Sequence, residues 1–172
     1  LLHPDLCKIL AAAAEQQLKT VMPTNGVLVT PEYARRLGEA QLCEIFLSLD
    51  SHIPAHHDYL RGQEGTFARL MAGIDALSCF APNVRINLLT VLSGYNLHDM
   101  SAFMQWIRRD GRFAGVYIQA IAKPFFVDIA DPWYADSQYR FLWPQEIAQT
   151  DAVIDELIAL KQSQRITIHN QV

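Results

Sequence analysis

Stretches rich in strand formers alternate with stretches of helical periodicity along the sequence, and this alternation constrains the fold more than any single residue does. Residues 6–17 carry an alanine run with apolar positions on one face, which predicts a helix; residues 19–22 predict a short strand that Pro23 stops. Thr30-Pro31-Glu32 reads as a helix entry, with Thr30 as N-cap, Pro31 where its missing N–H costs nothing, and Glu32 at the positive end of the helix dipole. Residues 43–50 alternate as a strand. From Thr66, the residues Phe67, Leu70, Met71, Ile74 and Leu77 recur at threes and fours, the stripe of an amphipathic helix. Residues 84–91 predict the next strand, and Asn96, as N-cap, opens a helix with Met100, Phe103, Met104 and Ile107 on its buried side. A further strand over 116–121 leads into residues 124–144, whose aromatics and prolines have no period and predict a long ordered loop covering a site. A last helix over 145–162 is expected to bury Ile147, Ile154, Leu157 and Ile158, and residues 165–169 begin one more strand. Four or five strands separated in this way mean a parallel sheet of right-handed βαβ units.

Beginning on a helix and ending on a strand, the chain looks like a barrel cut at both ends. The expected fold is α/β, parallel βα units forming part of a (β/α) TIM-like barrel, with residues 1–172 as its central part in a single domain. A complete eight-fold barrel takes about 250 residues; this sequence has 172, of which 51% are apolar, enough for a real core. A net charge of −4 without a basic patch argues against nucleic acid or an anionic membrane as partner. No apolar run approaches the ~18 residues of a spanning helix, and no signal peptide is visible. Cys7, Cys43 and Cys79 stand 36 residues apart, far from any short metal-binding spacing; odd in number, they point to a reducing, cytoplasmic setting. The open edges of a cut barrel are expected to promote self-association.

Polar residues fall where the predicted strands end: Thr24-Asn25-Gly26, Ser48-Leu49-Asp50, then Asp58 with Arg61-Gly62. Strand ends are where parallel sheets build their sites, because backbone groups there are unpaired and side chains converge. Alternation puts Cys43, Ile45, Leu47 and Leu49 on one face and Glu44, Phe46, Ser48 and Asp50 on the other; Arg85, Asn87 and Leu89 oppose Val84, Ile86 and Leu88; Tyr117 and Gln119 oppose Val116, Ile118 and Ala120. Each strand thus has an apolar face for helices and a face with polar groups. Polar inner faces on three strands imply a wide cavity that holds something polar, or an open sheet with one solvated side.

L-L-H-P-D-L at the start, T-N-G after the first strand, I-F-L-S-L-D at the second, H-D-Y-L-R-G-Q-E-G-T-F into the next helix, N-L-L-T-V-L-S-G-Y-N-L and I-D-E-L-I-A-L-K-Q-S together resemble the middle of a radical S-adenosylmethionine (SAM) enzyme, over nearly the whole chain. The resemblance implies a partial barrel in which a 4Fe-4S cluster, held by a C-x₃-C-x₂-C loop, cleaves SAM to start radical chemistry, in an activating or maturation-type enzyme. In that family the cluster loop follows the first strand and a G-G-E-P segment the second, and Leu1-Leu2 corresponds to what comes directly after G-G-E-P. Neither motif is present here, so this polypeptide is expected to lack radical activity by itself. The resemblance places Thr24 and Asn25 beside SAM, Ser48 on its ribose or carboxylate with Asp50 adjacent, and Arg61 on its carboxylate, a role suited to a planar guanidinium. Asn87, Thr90 and Gln119 would line the adenosine or substrate side. Local readings stay open: a turn in which Gly26 takes positive φ, Ser48 as a helix cap, and Arg61 paired with Asp58.

Other clusters carry less. His52, His56, His57 and Asp58 could ligate a metal, but they fall in a Pro-containing loop where adjacent histidines rarely reach one ion. Trp106, Trp133 and Trp143 read as packing, and Asp155 and Glu156 near Lys161 as the solvated face of the last helix. Lys123, just after a strand, raises an aldolase-like Schiff base, though nothing nearby would lower its pKa. No hydrolase triad order, phosphate-binding loop or HExxH is present. Two classes stand: part of a radical SAM oxidoreductase acting on a small molecule, peptide or protein, or a non-catalytic barrel serving as a binding module.

Overall fold

The computed structural model describes residues 3–123 and 128–170, so residues 124–127 of the expected loop lie outside the described residues. Among the described residues, six helices and four strands follow one another as α1 (Leu6–Glu15), β1 (Val21–Thr24), α2 (Pro31–Glu39), β2 (Glu44–Ser48), α3 (Pro54–Arg61), α4 (Thr66–Phe80), β3 (Arg85–Leu92), α5 (Met100–Asp110), β4 (Gly115–Ala120) and α6 (Ile147–Gln162), with short 3₁₀ turns at Leu97–Asp99, Trp133–Ala135 and Arg140–Leu142. The strands pair in chain order, β1-β2-β3-β4, all parallel. This is the parallel βα architecture of a partial TIM-like barrel. No helix among the described residues is long and apolar enough to cross a membrane.

Residues in register on neighbouring parallel strands share a face. One face therefore carries the rows Met22, Ile45, Ile86 and Thr24, Leu47, Leu88, Val116. These meet Ala34 and Leu37 of α2, Leu70, Ile74 and Leu77 of α4, and Phe103, Met104 and Ile107 of α5, in a core where most side chains have lost all contact with water. The other face carries Glu44 beside Arg85, then Pro23, Phe46, Asn87, Gly115, then Ser48, Leu89, Tyr117, then Val91, Gln119. At its lower end, Glu44 holds Lys19 at 2.6 Å and accepts from Asn87 Nδ2 at 3.0 Å, while His169 Nε2 lies 3.0 Å from Asn87 Oδ1. Lys19 above all keeps the Glu44 carboxyl below its ordinary range, and burial pushes the His169 imidazole down.

Local chemistry explains where the elements depart from the expected pattern. Pro23 lies inside β1 rather than stopping it. Glu44 N donates to Thr20 O, so alternation turns Pro23 to the edge that β2 does not use, where a missing N–H is harmless. Thr30 caps α2 as expected, accepting from Tyr33 N at 3.1 Å. Residues 54–61, expected as a loop, form α3, with Pro54 at its first position. Asn96 makes no capping bond. The last expected strand is a single bridge, Ile168 to Val116, flanked by bonds from Val116 N to Thr167 O and from His169 N to Val116 O. In α6 the period is right but the burial is not: Ile147 and Ile154 are 78% and 41% exposed, and Leu157 and Ile158 are half-buried. α6 leans on α5 and leaves a groove lined by Leu92, Ile118, Ile154 and Leu157.

The loop after β1 is seated by a close approach. A Cβ at Gly73 of α4 would lie 2.9 Å from the Gly26 carbonyl oxygen and 3.1 Å from Val29 Cβ. Gly73→Ala gains about 1 kcal/mol of helix propensity, yet it is expected to destabilise the protein by about 1–3 kcal/mol because backbone, not a flexible side chain, must move. Urea unfolding of the variant measures this.

Candidate functional site

The candidate site lies where β1 and β2 end. After β1, Gly26 takes φ +74° and its N–H donates to Thr24 Oγ1 at 3.2 Å, while Val27 N donates to Asn25 Oδ1 at 3.4 Å. A Cβ there would be strained by the positive φ and would stand 2.5 Å from Leu70 Cδ1, which would have to move. The turn holds Thr24 toward the helices and leaves Asn25 exposed.

Ser48, the last residue of β2, is half-buried on the inner face, and its hydroxyl has no hydrogen bond among the described residues. Two residues on, Asp50 is 4% exposed, and each of its polar groups is engaged. Its N–H donates to His57 Nδ1 at 3.3 Å, its carbonyl accepts from Asn96 Nδ2 at 2.8 Å, Oδ1 accepts from Val91 N at 2.9 Å, and Oδ2 pairs with Arg61 Nη2 at 2.8 Å. Burial pushes the Asp50 carboxyl above its ordinary range, against the pull of the Arg61 guanidinium and the Val91 amide. Arg61 retains a buried Nε–H with no partner.

Arg61 sits at the end of α3, and two carboxylates place that helix. Asp50 holds its last residue, and Asp58 accepts from Gly65 N at 2.6 Å and Phe67 N at 2.7 Å, capping α4 where Gly65 has no side chain to do so. Burial opposes the charge on Asp58, but the Phe67 and Gly65 amides outweigh it and leave its pKa lowered. Arg61 therefore pairs with Asp50 and not with Asp58. His57 is fully buried; because Nδ1 accepts from Asp50 N, its proton sits on Nε2, which has no partner. Burial, reinforced by the Arg61 charge and only partly offset by Asp58, lowers its pKa to about 4.

Of the residues singled out in the sequence, Ser48, Asp50 and Arg61 come together at the end of β2, with Asn25 on the neighbouring loop. Thr90 faces the helices, fully buried, and its hydroxyl donates to Leu49 O at 2.8 Å. Asn87 is fully buried lower on the inner face between Glu44 and His169. Gln119 stands exposed near the end of β4. The sequence offers His57 as a possible metal ligand and Asn96 as a helix cap; their actual hold on the backbone of Asp50 had no signal there beyond a polar residue near a strand end. Lys123 pairs with Asp131 at 3.3 Å. Among the described residues no three His, Cys, Asp or Glu side chains converge to hold a metal ion. Cys7 lies in α1, Cys43 before β2 at the opposite end from Ser48, and Cys79 exposed in α4, so these thiols do not fit an iron–sulfur cluster. His56 pairs with Asp99 and His52 stacks on Phe103, so the histidines do not form a site either.

Comparison with known proteins gives this geometry a context. The Radical SAM superfamily profile matches residues 1–107. The AdoMet-dependent heme synthase of Nitratidesulfovibrio vulgaris is 28% identical over 149 residues, 79% of this chain and 40% of that protein. The GTP 3',8-cyclase of Aeromonas hydrophila is 37% identical over 91 residues, 52% of this chain and 26% of that one. Among solved structures, anSMEcpe with bound AdoMet and the Cp18Cys peptide superposes with a TM-score of 0.67 at 16% identity, covering 95% of this chain and 44% of that one. The chain thus spans well under half the length of these relatives.

The neutral His57 has a measurable consequence. An imidazole whose folded pKa is near 4, against 6.5 when unfolded, binds fewer protons in the fold. Its contribution to stability is complete above pH 6.5 and lost as pH falls toward 4, amounting to about 3 kcal/mol. His169, also lowered, adds in the same direction. Denaturant unfolding between pH 7 and 4 is expected to show this decline, and His57→Gln to remove most of it.

Proposed function

Given that this chain belongs to the radical SAM superfamily, we propose that Ser48 and Arg61 form the part of an S-adenosylmethionine site that receives the carboxylate of the methionine moiety. The observation that carries this reading is a guanidinium fixed at a strand end, with one N–H buried and unpaired, whose partner Asp50 lies two residues after a serine whose hydroxyl is free among the described residues. Asp50 takes only one nitrogen of Arg61, which leaves other donors for a ligand carboxylate in the charge-assisted geometry that arginine favours. Asn25 and Gln119, exposed on the same side, would meet the rest of the cofactor or the substrate.

The cofactor, were it bound at a 4Fe-4S cluster, would supply radical chemistry at a C–H bond. The residues of this chain would bind and orient: Arg61 and Ser48 by hydrogen bonds, Asp50 by holding Arg61, and the inner row of Leu89 and Tyr117 by excluding water from the adjoining surface. The ligands of the cluster are not among the three cysteines here. A peptide substrate is the reading we favour, supported by the likeness to anSMEcpe with its bound peptide.

Isothermal titration of the chain with SAM tests the reading. Arg61→Ala is expected to weaken binding at least about tenfold and Ser48→Ala by about three- to tenfold, the worth of one charged and one neutral hydrogen bond; wild-type protein that takes up no SAM would overturn it. Self-association through the unused edge of β1, near the exposed Leu18 and Val21, is the companion expectation. Light scattering should report species larger than a monomer as concentration rises.

A further inference from the structure

Asn96 lies in the loop after β3, fully buried, and its side chain satisfies every hydrogen bond an amide can make. Oδ1 accepts from Ser93 N at 2.8 Å and from Ser93 Oγ at 3.1 Å. Nδ2 donates to the carbonyl of Asp50 at 2.8 Å and to that of Val91 at 2.9 Å. The two carbonyls belong to different strand ends, so one side chain fastens the loop after β2 to the end of β3. It caps no helix, although it directly precedes the 3₁₀ turn at Leu97–Asp99.

What it fastens matters for Arg61. Asn96 fixes the backbone of Asp50 from one side, and the carboxylate of the same residue reaches from Val91 N to Arg61 Nη2. Val91 is thus bound twice, its N–H by Asp50 and its carbonyl by Asn96. The guanidinium sits at the end of a chain of contacts, Asn96 to Asp50 to Arg61, with no exposed link before Arg61 itself. A carboxylate on a free loop would swing with that loop; one whose backbone is pinned to the sheet holds its partner at a set angle, and bidentate recognition by arginine depends on that angle.

We propose that Asn96 is a positioning residue for anion recognition at this site, holding Arg61 through Asp50 in the orientation that receives a ligand carboxylate. The inference rests on the reading of Ser48 and Arg61 as the SAM carboxylate site. It assigns Asn96 an effect on one ligand group and not merely on folding.

The test compares two ligands that differ in that group alone. SAM and decarboxylated SAM are titrated calorimetrically into the wild-type chain and into Arg61→Ala, Asn96→Ala and Asn96→Gln, the last retaining the amide's donors and acceptor on a longer arm. Wild-type protein is expected to prefer SAM at least about tenfold. Asn96→Ala should lose most of that preference, as Arg61→Ala does, and Asn96→Gln should recover part of it. The ratio of the two affinities cancels any loss of folded protein, so a partly unfolded variant still gives an answer. If Asn96→Ala weakens both ligands equally and keeps the wild-type preference, Asn96 is structural only and the inference is wrong while the SAM reading stands. If wild-type protein binds neither ligand, or binds them alike, the carboxylate-site reading falls and this inference with it.

Discussion

A carboxylate taken out of water at the end of β2 is the interaction on which the rest of the site depends. Asp50 is almost wholly buried, and a buried charge is tolerated only when its partners replace the lost hydration. Here the Val91 amide and the Arg61 guanidinium meet the carboxylate oxygens themselves, while His57 Nδ1 and Asn96 Nδ2 hold the backbone N–H and carbonyl of the same residue. Removing one partner of such a buried pair typically costs about 3–5 kcal/mol, so the loops after β2 and β3 cannot separate cheaply. The arrangement converts two strand ends into one rigid support.

The opposite end of the inner face is built on a different principle. Glu44, Lys19, Asn87 and His169 form a run of hydrogen bonds across β2 and β3 to the last described segment of the chain. A small chain with a four-stranded sheet leaves part of that face without a helix to cover it, and polar groups bonded to one another seal it without demanding apolar partners. Interlocked polar groups thus gather at the start of the strands and the groups proposed to meet a ligand at their ends, the division expected of βα architectures.

How much of this was legible in the sequence depends on whether the deciding partner was near or far along the chain. The stripes of α4 and α5 and the cap at Thr30 were readable because their period and chemistry are local. The helix α3 was not: Pro54 through Arg61 carries two histidines, an aspartate and an arginine, and its burial comes from Asp50 and α4 rather than from an apolar stripe. Pro23 misled because whether a proline breaks a strand depends on which edge it faces, a fact of pairing. In α6 the apolar period was real, but exposure depends on what stands opposite, and among the described residues little does. The same holds within the site. Ser48, Asp50 and Arg61 were proposed through family resemblance, yet Arg61 had a plausible partner three residues away in Asp58, and only the fold shows that the Phe67 and Gly65 amides claim that carboxylate. Thr90 and Asn87 carried the right chemistry, but the first faces the helices and the second is enclosed between Glu44 and His169.

The double anchoring of α3 also makes it a gauge of length. Eight helical residues span about 12 Å, and that rod is held at its middle and at its end by Asp50, through His57 and Arg61, while the adjacent Asp58 ties its middle to the first turn of α4. One residue inserted or deleted in α3 would turn the later side chains by about 100° around the axis, carrying Arg61 away from Asp50 or Asp58 away from α4. Descent with insertions and deletions should therefore leave this stretch at constant length while residues 128–146, mostly exposed and anchored at few points, vary freely. Spacing, more than residue identity, is what the geometry preserves there.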